Sequence, residues 1–83
     1  MPATFTSARL PHPMFTPFGL WAAYLAQELA AYNVPRPPAS ERAWKAWAIL
    51  VHALPEMVQL GCPNPRLFPD WKPWALAFHQ VTG

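Results

Sequence analysis

The sequence predicts an all-α protein: one small three-helix domain with a kinked central helix, preceded by an extended, Pro-rich N-terminal arm. Three observations predict it. Apolar residues recur at helical spacing over three separate segments. No segment combines period-2 alternation with turn signals, so no strand candidate survives. The prolines, twelve in 83 residues, cut the chain where helices start, bend or stop. The arm is expected over residues 1–16 and the helical domain over 17–83.

The arm contains Pro2, Pro11 and Pro13 and has no sustained periodicity. Proline removes a backbone donor and biases its predecessor toward extended conformations. Phe5, Leu10, Met14 and Phe15 are spaced along it as apolar anchors. The arm could reach a neighbouring subunit, fold back over the domain's own core, or be disordered.

The first helix is expected to start with Thr16 as N-cap and Pro17 at the first helical position, the preferred pairing there. It should end near Asn33, before Val34-Pro35-Arg36-Pro37-Pro38. Phe18, Trp21, Ala22, Leu25, Leu29 and Tyr32 make one stripe; Leu20, Tyr24 and Ala31 add a second apolar side. A helix apolar nearly all round is buried on several faces.

The second helix opens at Ser40, with Glu41 suited to the positive end of the helix dipole. Its polar side reads Glu41, Lys45, His52, Glu56 and Gln59. One apolar stripe is Trp44, Trp47, Val51, Leu54, Val58; the other is Ala46, Leu50, Ala53, Met57, Leu60. Both hold helical phase across Pro55, which favours one kinked helix to Leu60, stopped by Gly61. The alternative is a break at Leu54, with Pro55 opening a new short helix. Cys62 to Arg66 must be a loop. The third helix follows Asp70 as N-cap, with Pro73 tolerated in the first turn and Trp71, Trp74, Ala75, Phe78 and Val81 on one side.

Composition bounds function. Hydrophobic residues make up 53% of the chain and charged residues 12%, against roughly 25% charged in an average domain. A chain this short also shields only about 60% of its unfolded surface. Too few charges remain to clothe a free monomer in the usual way, so a partner protein or a membrane should cover part of it. The membrane is the weaker reading. A spanning helix needs ~20 apolar residues, and the longest candidate, residues 17–32, contains Gln27 and Glu28 and spans only about 24 Å. Met1 to Thr6 offers no basic start for a signal peptide, which points to the cytoplasm or the interior of a virion. Cys62 stands alone and cannot close an intrachain disulfide.

Site chemistry is thin. His12, His52, His79 and Cys62 are competent zinc ligands, but each falls in a different segment at no recognised spacing. His52 and Glu56 lie one helical turn apart and could share a hydrogen bond, though a solvated face explains them better. Cys62 follows a helix C-terminus, where the dipole disfavours a thiolate. Three glycines at positions 19, 61 and 83 cannot make a phosphate loop. The six basic residues are scattered, without the basic footprint of a nucleic-acid binder. Arg42, Trp44, Lys45 and Trp47 could imitate a stacking site, yet helical geometry points Lys45 away from the two tryptophans.

No cofactor, metal or catalytic group is therefore expected. The sequence points to a non-catalytic structural or assembly subunit that packs into a larger multiprotein complex, with homo-oligomers included. Small phage virion components and assembly factors often share such a build. The alternative is a free-standing small inhibitor or regulator of a host enzyme. The residues expected at the interface are Trp44, Trp47, Trp71 and Trp74, with Phe5 and Phe15 in the arm; each also reads as core.

Overall fold

The computed structural model describes residues 6–83, and within them the chain is all-α, with no strand. Four α-helices follow in order: α1 Phe18–Glu28, α2 Trp44–His52, α3 Pro55–Leu60 and α4 Trp71–Thr82. Single 3-10 turns fill the connections at Ser7–Arg9, Pro13–Phe15, Ala30–Tyr32, Glu41–Ala43 and Pro65–Leu67.

Asp70 Oδ1 accepts from the Trp71 amide at 2.8 Å, at the expected start of α4. Ser40 Oγ accepts from the Arg42 amide at 3.2 Å but caps the 3-10 turn Glu41–Ala43, and α2 follows from it at Trp44 with no side-chain cap of its own. The start of α1 differs. Pro17 is its N-cap and no side chain caps it; the Thr16 hydroxyl instead turns back and donates to the His12 carbonyl at 2.8 Å. Helical geometry after α1 tightens into the 3-10 turn and stops at Asn33, whose φ of 58° is left-handed.

The central helix is divided, not merely kinked. Leu54 has φ −66° and ψ 135°, the extended conformation that a following proline imposes on its neighbour. Pro55 then opens α3 at a position needing no intrahelical donor. The division resets the helical phase. A continuous helix would bury Val58 in line with Trp44, Trp47 and Val51; instead Val58 is 61% exposed and Met57 is buried. Gly61, at φ 80°, ends α3. Its amide donates to the Val58 carbonyl and the Cys62 amide to the Met57 carbonyl, at 3.1 and 3.0 Å, the paired bonds of a Schellman stop.

Residues 6–16 do not stand away from the domain. Ser7, Leu10, Pro13 and Thr16 are buried, and Ser7 Oγ lies 3.5 Å from the His79 carbonyl of α4. Two 3-10 turns, each opened by a side-chain acceptor, Thr6 and His12, make the segment compact enough to lie against α4. Folding back over the core is thus the outcome for the described part of the arm.

Candidate interaction surface

The core is aromatic. Trp21, wholly buried on α1, stacks against α4: its ring centre lies 5.8 Å from Trp71, 5.8 Å from Trp74 and 6.1 Å from Phe78. Phe18 bridges to Trp71 and Trp47 at 5.4 and 5.7 Å. Trp74 meets Trp44 at 5.9 Å and Trp47 at 6.3 Å. Such pairs contribute about 0.5–1.5 kcal/mol each beyond their burial.

Indole N–H groups then tie the proline-rich loops to this core. Trp47 Nε1 donates to the Pro35 carbonyl at 2.9 Å, and Trp74 Nε1 to the Pro63 carbonyl at 2.9 Å. A carbonyl before or within a proline run has few backbone donors available, since proline supplies none. The tryptophans provide the missing donors. Trp71 Nε1 is buried without a hydrogen-bond partner.

The residues expected at an interface therefore fall in three places. Trp44, Trp47, Trp71 and Trp74 are buried in the chain's own core, the most exposed being Trp44 at 6%. Their burial follows from area: indoles are the largest apolar side chains in the chain, and they fill the space between four short helices together with Trp21, Phe18 and Phe78. Phe15 is 86% exposed. Phe5 lies outside the described residues. Among the five that lie within the described residues, Phe15 is the exposed one, with its ring 5.3 Å from that of His12.

The exposed apolar surface lies elsewhere. Leu20 and Tyr24 occupy the outer side of α1 and Leu50 that of α2, while Leu67, Val58, Val81 and Met14 project from other elements. Leu20, Tyr24 and Leu50 were legible as second apolar stripes. Val58 and Leu67 were not, because Val58 depends on the division at Leu54 and Leu67 on the turn Pro65–Leu67.

The remaining chemistry is sparse. Lys45 Nζ sits 5.5 Å from the centre of the Trp44 ring, so the lysine does approach its tryptophan, contrary to the helical projection. Trp44 is nonetheless too buried to offer a ring face to a base. The division at Leu54 takes Glu56 off the helix carrying His52, removing their one-turn spacing. Among the described residues, no three His, Cys, Asp or Glu side chains gather as a metal site. Burial pushes the Cys62 thiol up to about 12. No described helix is long and apolar enough to cross a membrane. No family model, curated protein or solved structure matches the chain.

Proposed function

We propose that this chain is a non-catalytic structural or assembly subunit that binds protein neighbours in a larger complex, such as a virion. The observation that carries this reading is the apolar surface left over once the core is full. Phe15 is 86% and Leu67 78% exposed, and charged residues are only 12% of the chain. Burying an exposed phenylalanine against a partner contributes roughly 2–3 kcal/mol.

A second reading, a free-standing regulator that binds one target, is favoured by one specific feature. Among the described residues, sixteen buried hydrophobics form one cluster, which suits a chain that folds on its own.

Light scattering with circular dichroism on the purified full chain separates the two. The subunit reading expects a cooperatively melting helical protein that self-associates as concentration rises. It also expects Phe15→Ser with Leu67→Ser to suppress that association while leaving the melting curve unchanged. A strictly monomeric protein at all concentrations would transfer the argument to the regulator. Turnover of any substrate would sink both.

A further inference from the structure

His79 is where the N-terminal segment, α1 and α4 meet. The indole N–H of the wholly buried Trp21 donates to His79 Nε2 at 3.0 Å. An indole nitrogen can only donate, so Nε2 must keep its lone pair and the neutral ring carries its proton on Nδ1. The His79 carbonyl receives Ser7 Oγ from the N-terminal segment at 3.5 Å. On the same segment, the His12 ring centre lies 6.4 Å from that of His79.

We propose that the Trp21–His79 bond is a proton-operated latch: protonating His79 opens it, and residues 6–16 leave α4. Protonation turns the acceptor into a donor, so two N–H groups face each other where one bond stood. It also places a positive ring opposite His12, across the seam that Ser7, Leu10 and Pro13 seal. The C-terminal end of the α4 dipole, in whose last turn His79 lies, offsets that charge only in part. From the N-terminal segment the facing titratable group is His12, with Arg9 exposed beyond the first turn; from α1 it is the uncharged Trp21. Along α4, the neighbours one turn away (Ala75, Leu76, Thr82 and Gly83) carry no charged side chain. The latch is independent of the function proposed above.

The direction of the effect follows from burial. Desolvation, and secondarily the charge of His12, hold His79 below its ordinary value of 6.5. The undocked ring regains that ordinary value, so the undocked state binds protons more readily. Docking is therefore complete above about pH 6.5 and weakens as pH falls through the lowered pKa.

An NMR titration of the full chain from pH 8 to pH 5 tests this, following the His79 ring, the Trp21 indole N–H and the Ser7 and Leu10 amides. All four should move with one midpoint, below 6.5, and the indole proton should exchange at least about tenfold faster at the acid end. In His79→Gln, whose amide oxygen accepts the indole without titrating, the Ser7 and Leu10 amides should lose that transition. In His12→Asn the midpoint should rise. Stationary Ser7 and Leu10 amides while His79 titrates would overturn the latch. So would an unchanged transition in His79→Gln. If that variant fails to fold, the wild-type titration decides alone.

Discussion

The Trp74 indole N–H meets the Pro63 carbonyl at 2.9 Å, holding the loop after α3 against α4. One turn earlier on the same helix, Trp71 is equally buried but its N–H has no partner. The two side chains thus do the same packing with opposite polar outcomes. Trp74→Phe loses area and a hydrogen bond; Trp71→Phe loses area and removes a buried orphan donor. Urea unfolding should show Trp74→Phe to be the more costly by about 2 kcal/mol. Equal losses would mean that the Pro63 bond contributes nothing to stability.

Gly61 offers a cleaner backbone test. Its φ is 80°, and a Cβ built there would meet no atom within 4 Å. Any cost of Gly61→Ala is therefore conformational and not steric crowding. The left-handed penalty of roughly 1–2 kcal/mol should appear in full, with an unchanged far-UV spectrum. Gly19, helical and equally uncrowded, should respond in the opposite sense, since alanine is the better helix former by about 1 kcal/mol.

These positions also mark what was legible in the sequence. Ser40, Asp70 and Gly61 act locally, through their own neighbours, and so announced the helix ends they make. Trp71 and Trp74 announced an aromatic core or interface, but spacing alone cannot say which, because both surfaces reward the same side chains. The choice depends on how α1 and α4 face each other, which no local pattern records. Thr16 misled for a related reason: its hydroxyl prefers the His12 carbonyl, a bond available only once the Pro13–Phe15 turn has formed. The apolar stripes misled across Pro55, because an unbroken pattern of letters does not require an unbroken helix.

The division at Leu54 is itself testable. Pro55 fixes the extended Leu54 and supplies the first residue of α3, whose Met57 is buried. Replacing it by alanine restores a donor, yet merging α2 and α3 would swing Met57 out of the core and Val58 in. Pro55→Ala should therefore cost about 0.4–1 kcal/mol, through the freer unfolded chain, without added helicity by circular dichroism. A gain in helicity would show that the proline alone, and not packing, divides the helix.

Cys62 reports on the same loop. Its thiol is buried, lies 3.6 Å from the Pro63 carbonyl, and is pushed by desolvation up to about 12. At pH 8 only ~10⁻⁴ of it is thiolate, so native alkylation should run about a thousandfold slower than in the urea-unfolded chain. The shift also fixes a sign. A raised native pKa means the unfolded thiol releases its proton first, so stability contributed by Cys62 falls as pH climbs from about 9 toward about 12. Because Trp74 and Cys62 share the Pro63 carbonyl, the loop should loosen when the indole bond is cut. Trp74→Phe should then speed alkylation well beyond Trp71→Phe, measured by mass spectrometry under native conditions. Identical rates in the two variants would mean that packing alone, and not the Trp74–Pro63 bond, keeps the thiol covered.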